Sequence, residues 1–183
     1  MCDAEDFWSY AVSVYDQSRD SCLALQDQFG FEVNLLLFCC WRGSHGIALD
    51  PATLRRVIDA CADWRANVVA PLRASRRWLK GRADPVGAEE LRRAILDLEL
   101  DAERLLQGLI VNAAGPASGR PAIDPDLARR IAEENLTLYR GIIEPGGARN
   151  ADPLIQGLLS GVFAGDAVPG IVSASDGAAG APD

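Results

Sequence analysis

Four cations, Arg73, Arg76, Arg77 and Lys80, fall within the segment APLRASRRWLK, residues 70–80. Steps of three, four and seven residues put them on one side of a helix, where guanidinium groups can grip a phosphate or carboxylate in bidentate fashion. The competing reading is internal pairing with Asp27, Glu32, Glu99 or Glu103, because the chain is acidic overall, with a formal net charge of -8. Lys80 is the sole lysine, so part of the arginine richness is a compositional habit.

A second constellation lies in LDLELDAERLLQ, where Glu99 and Glu103 stand one helical turn apart beside Asp97 and Asp101. Two carboxylates so spaced can hold a divalent cation, or divide acid and base roles when burial separates their pKa values. A helical di-iron site would add a Glu-x-x-His motif, and the only histidine, His45, sits in a glycine-flanked loop. The expectation is therefore no metal and no cofactor, with an acidic face that is solvated or paired to arginine. A third group, Gln26, Asp27 and Asn34, is set among apolar residues in CLALQDQFGFEVNLLLFCCW and predicts a buried polar network, since such groups need partners in a core.

Other nucleophiles carry less. Cys39 and Cys40 are adjacent, which forbids a mutual disulfide within a helix, and no histidine is spaced to activate either. The five cysteines lack CxxC spacing, so reduced, buried thiols are expected. Ser44-His45 has no GxSxG frame and no acid close by in sequence to orient the imidazole. Walker and dinucleotide-binding fingerprints are absent.

The elements that must position these residues read as helices throughout. Asp3 can cap a first helix carrying Phe7, Trp8, Ala11, Val12 and Tyr15, ending near residues 16–18, and a short second helix would run from Arg19 to Gln28 and stop at Gly30. Residues 31–43, FEVNLLLFCCWRG, are apolar nearly all round and predict a central helix enclosed by others. Asp50-Pro51 opens the next helix, which Pro71 should end or kink before Leu72 to Lys80. A long helix from Ala88 to Asn112 would direct Leu91, Ile95, Leu98, Ala102, Leu105, Leu109 and Asn112 to one face. Asp124-Pro125 and Asp152-Pro153 open two more.

The pattern predicts an all-α fold: a single bundle of about six to eight helices, with a core domain at 1–112, a linker at 113–123, a helical extension at 124–163 and a disordered tail at 164–183. Residues 1–41 hold Asp3, Glu5, Asp6, Asp16, Asp20, Asp27 and Glu32 against Arg19 alone, whereas bases dominate residues 50–80, so the two segments should face each other. The acidic balance argues against a nucleic-acid partner. The longest apolar run falls far short of the ~20 residues that span a bilayer, and the start MCDAEDFW lacks a signal-peptide pattern, which together predict a cytoplasmic protein.

FWSYAVSVY (7–15), CLALQDQFGFEVNLLLFCCW (22–41), WRANVVAPLRASRRWLK (64–80) and ELDAERLLQ (99–107) together resemble a family of uncharacterised bacterial proteins known only as a domain of unknown function, over about residues 5–112. That resemblance implies a small helical cytoplasmic protein and brings no activity with it. From the residues, the leading expectation is a non-enzymatic helical binding or adaptor protein with a protein partner or a second copy of itself. The alternative is an enzyme or binding protein for a phosphorylated or carboxylated metabolite, with Arg73, Arg76, Arg77 and Lys80 as the anion clamp and Glu99 with Glu103 as acid/base or metal ligands.

Overall fold

The computed structural model describes residues 3–82, 87–117, 124–144 and 150–164. They form helices α1 (Asp3–Phe29), α2 (Val33–Ser44), α3 (Pro51–Trp64), α4 (Ala70–Leu79), α5 (Ala88–Ala114), α6 (Pro125–Ile143) and α7 (Asp152–Val162), with no strand among the described residues. The fold is all-α, as the periodicity predicts. The segments 118–123 of the expected linker and 165–183 of the expected tail lie outside the described residues.

Helix α2 is the centre. Leu35, Leu36, Leu37, Phe38, Cys39, Cys40 and Trp41 are all buried, and α1, α5 and α6 surround them. Such a helix has no solvent face, so its stability comes from neighbours that remove apolar surface from water. Phe7 of α1 stacks at 5.2 Å from Trp41 and meets Phe38 edge-on at 5.8 Å, while Phe31 packs edge-on against Tyr139 of α6 at 5.2 Å. The N-terminus of α2 is capped by Glu32, whose carboxylate accepts from Leu35 N at 3.1 Å, and Tyr139 Oη accepts from Glu32 N at 3.2 Å.

Helix α6 reaches α2 at backbone distance. Gly43 faces the main chain of Ala132, and Asn135 donates to Cys39 O and Ile47 O while accepting from Leu49 N at 2.8 Å. One side chain thus ties the loop after α2 to α6. Helix α7 lies along α1, with the backbone at Gly161 against that at Gln17. Leu136, Tyr139, Ile155, Leu158 and Leu159 belong to the same apolar core as α2.

Three details differ from the sequence reading. Helix α1 runs unbroken for 27 residues; Ser18, at the expected break, is buried and donates back to Val14 O at 2.8 Å, which keeps its hydroxyl satisfied inside the helix. The interruption expected at Pro71 lies just ahead of it: a π-helical turn, Arg65–Val69, shifts the hydrogen-bond register so that Ala70 N donates to Arg65 O, and α4 runs on through the proline. On α5, Leu91, Leu98, Leu105 and Leu109 point outward, and the buried face is Glu99, Ala102, Leu106, Gln107, Ile110 and Val111. Contact with α3 and α4 selects that face.

Cys22, Cys39, Cys40 and Cys61 are free and buried, and burial raises each thiol pKa, to about 12 for Cys22 and about 11 for Cys61. They are inert core residues. Cys2 lies outside the described residues.

The α2–α6 contact yields a test. A β-carbon on Gly43 would lie 2.5 Å from Ala132 N. The gain of about 1 kcal/mol in helix propensity is then smaller than the cost of driving two backbones apart. Gly43→Ala should lose roughly 1–3 kcal/mol net, read as a lower urea midpoint with unchanged slope.

Candidate functional site

Helix α4 has few residues that a core can use, and its polar side turns toward α1 and α5. Residues at steps of three and four then share a wall, and Arg73, Arg76, Arg77 and Lys80 all line one cavity of about 530 Å³. Opposite stand Trp8, Ala11, Val12, Tyr15 and Leu23 of α1, while α2 contributes Val33, Asn34 and Leu37. Helix α5 supplies Leu96, Leu100, Glu99, Glu103 and Gln107. Apolar and aromatic walls with a few converging polar groups are the usual make-up of a small-molecule site.

The four cations are not equivalent. Arg73 donates to Glu99 Oε1 at 3.2 Å, to Gln26 Oε1 at 3.1 Å and to Glu103 Oε1. Arg76 grips Glu99 with both Nε, at 2.5 Å, and Nη2, at 3.1 Å. Arg77 and Lys80 are exposed, and neither has an ion-pair partner among the described residues. Arg19 and Asp16 of α1 add one charge of each sign to the lining.

The two glutamates are pushed in opposite directions. Burial opposes ionisation of Glu99, but Arg76 and Arg73 together outweigh it and hold its pKa below the ordinary value. For Glu103 burial prevails over Arg73, aided by repulsion from Glu32 and Glu99, and its pKa rises. Both carboxylates converge on Arg73, whose charged form is reinforced despite its own burial.

Of the polar trio, Gln26 reaches Arg73, and Asn34 donates to Glu32 Oε1 at 3.3 Å and accepts from Gln107 Nε2 at 2.8 Å. Asp27 is not buried with them. It is exposed and bonded to Gln26 at 3.3 Å, because its position on α1 lies on the solvent side. The N-terminal helix does face the basic segment across the cavity, where Gln26 accepts from Arg73, but among the described residues no acid of 1–41 forms an ion pair with a base of 50–80: Glu5 meets Arg104, and Asp6 accepts from Trp41 Nε1 at 2.9 Å and lies 3.3 Å from His45 Nε2. Asp6 is the acid that local sequence around His45 does not show, but Ser44 donates its proton to Trp41 O at 2.8 Å and is nearly buried, which withholds it as a nucleophile. Among the described residues no cluster of three or more His, Cys, Asp or Glu is placed to hold a metal.

Sequence reasoning missed Gln107, Trp8 and Tyr15 as cavity residues. For Gln107 a signal exists, since Glu99, Glu103 and Gln107 fall at steps of four and so share one side of the helix.

A family model described as protein of unknown function, DUF2390, matches residues 6–110. The chain belongs to this family. No curated protein and no solved structure matches it. The DUF2390 match takes in α1 from Asp6 onward, α2 to α4 and all but the last turn of α5, and so includes every cavity residue named above, whereas α6 and α7 lie beyond it. No described helix is long and apolar enough to cross a membrane.

The shift at Glu99 sets a pH dependence. A carboxylate whose folded pKa is lowered stabilises the fold above its unfolded value, about 4.3, and loses that contribution as pH falls through the folded value. Glu103, raised, acts in the opposite sense: its contribution is present at low pH and lost as pH rises through its folded value. Glu99→Gln should therefore cost about 3 kcal/mol at pH 7, as expected for one partner of a buried pair, and the gap to wild type should narrow progressively as pH falls from the ordinary glutamate value through the lowered folded one. A series of urea unfolding curves from neutral to acid pH measures it; a gap that does not narrow in acid counts against ionic locking by Glu99.

Proposed function

We propose that the protein is a non-enzymatic cytoplasmic binding protein whose α1–α2–α4–α5 cavity takes an organic anion with an apolar body. The observation that carries this reading is the division of labour along α4 and its C-cap: Arg73 and Arg76 are held by Glu99 and Glu103, while Arg77 and Lys80 line the same cavity with no ion-pair partner among the described residues. Free cations beside apolar walls of Trp8, Val12, Leu23, Leu37 and Leu100 suit a carboxylate or phosphate carried on a hydrocarbon or aromatic frame. With both glutamates engaged by Arg73, neither stands ready as a general base, which favours binding over catalysis.

Titration calorimetry with dodecanoate tests it. A one-to-one complex is expected, weakened on the order of tenfold in Arg77→Ala/Lys80→Ala, as loss of charge-assisted contacts to a carboxylate requires. Absence of binding, or equal binding by the double variant, rejects the anion site.

A second reading concerns partners. Leu91, Leu98 and Leu105 are 53, 55 and 60 % exposed at heptad steps along α5, a line of large apolar side chains that suits pairing with the same helix of a second copy. Sedimentation should show a concentration-dependent dimer that Leu98→Lys abolishes; a monomer at all concentrations removes this reading and leaves the cavity untouched.

A further inference from the structure

Trp78 breaks the pattern set by the other tryptophans. Trp41 is fully buried and Trp8 and Trp64 are half-buried, whereas Trp78 stands 60 % exposed on α4. One exposed apolar side chain carries little weight alone, so its surroundings decide. Pro71, Ala74 and Ser75 precede it by seven, four and three positions on the same helix, all three are exposed, and none is charged. Ser75 also turns its hydroxyl back to Pro71 O at 2.9 Å. Helix α4 thus reverses the usual arrangement of a surface helix: Arg73 and Arg76 turn inward to Glu99 and Glu103, and the face toward water is the uncharged one.

The C-terminal end of that face is rimmed by cations. Residues 70–82 contain five bases and no acid. With Arg73 and Arg76 neutralised, Arg77, Lys80 and Arg82 are left, all exposed and without an ion-pair partner among the described residues. Arg82 donates to Trp78 O at 2.8 Å and holds its guanidinium 4.0 Å from the centre of the Trp78 ring, so the aromatic group and a positive charge are presented together.

We infer that this face of α4 docks on a membrane surface containing anionic phospholipid, with Trp78 at headgroup level and Arg77, Lys80 and Arg82 on lipid phosphates. Tryptophan suits that layer because one end of the ring is apolar and the other is polar. The long stems of arginine and lysine let the charges reach the headgroups while the uncharged face lies against the apolar boundary. A single-stranded nucleic acid would also answer the cations, but it is held on successive aromatic side chains, and this face has one. The formal net charge of -8 does not forbid the contact, because screening over about 8 Å at physiological salt leaves the nearest charges in control. Trp78 and Arg82 do not line the cavity, which separates this surface from the anion site proposed above.

Co-sedimentation of the full chain with vesicles tests it, using phosphatidylcholine alone and phosphatidylcholine with about one third phosphatidylglycerol. The protein should bind the anionic vesicles only, and less as salt is raised. Trp78→Ala should weaken binding on the order of tenfold and Arg82→Ala about fivefold, while Trp78→Phe, which restores a large ring, should recover most of the loss. Calorimetry with dodecanoate should not distinguish Trp78→Ala or Arg82→Ala from wild type. No binding to the anionic vesicles, binding of polyuridylate with none to vesicles, or equal vesicle binding by Trp78→Ala overturns the inference and leaves the anion site standing.

Discussion

Helix α2 offers water no face, and every neighbour is arranged to cover it. Leu36, Phe38, Cys39, Cys40 and Trp41 have no measurable exposure, so the apolar surface they remove from water is the largest single reason for α1, α5 and α6 to converge. Enclosure also creates obligations. The N–H groups at the start of a buried helix need acceptors, and Glu32 answers one through its own carboxylate while Tyr139 receives the N–H of Glu32. The polar residues near the ends of α2 are in this sense consequences of the apolar ones in its middle.

The cavity exists because the same logic is relaxed on one side. Between α1 and α5 the covering element is α4, whose inward side chains are mainly arginines, and guanidinium groups cannot fill space as leucines do. They enter only with carboxylates to neutralise them. Glu99 is buried because Arg73 and Arg76 both reach it, and the two arginines are held inward because Glu99 and Glu103 are there. This mutual dependence makes the network rigid, while Arg77 and Lys80, one turn further, escape it.

Much of the architecture was legible in the sequence. Asp50 and Asp124 cap their helices through Thr53 N and Leu127 N as their Asp-Pro pairs indicate, and Gly30 ends α1 at a φ of 76°. The misreadings have local causes. Ser18 reads as punctuation because serine competes for backbone partners, yet one bond to Val14 O is compatible with an unbroken helix. Leucines at heptad steps point to the wrong face of α5, because the face that is buried is built in part on Glu99, Ala102 and Gln107 and carries fewer large apolar side chains. Burial of Glu99 depends on arginines more than twenty positions upstream, and no local period reports such a partnership. For the site, the cations and the glutamate pair could be picked out by type and spacing, whereas the distinction between engaged and free cations required three dimensions.

The anchoring of α6 to the interior of α2 bears on what the family boundary means. Gly43 against Ala132, Asn135 on Cys39 O and Leu49 N, and Tyr139 on Glu32 N all join residues inside the 6–110 match to residues outside it. Cut loose from α6, the matched stretch would bare one flank of its most greasy helix and strand the main-chain amides of Glu32 and Leu49. The portion of the chain that signals kinship is therefore shorter than the portion that encloses α2, and a cousin built without the 19 residues of α6 would have to borrow a lid from elsewhere.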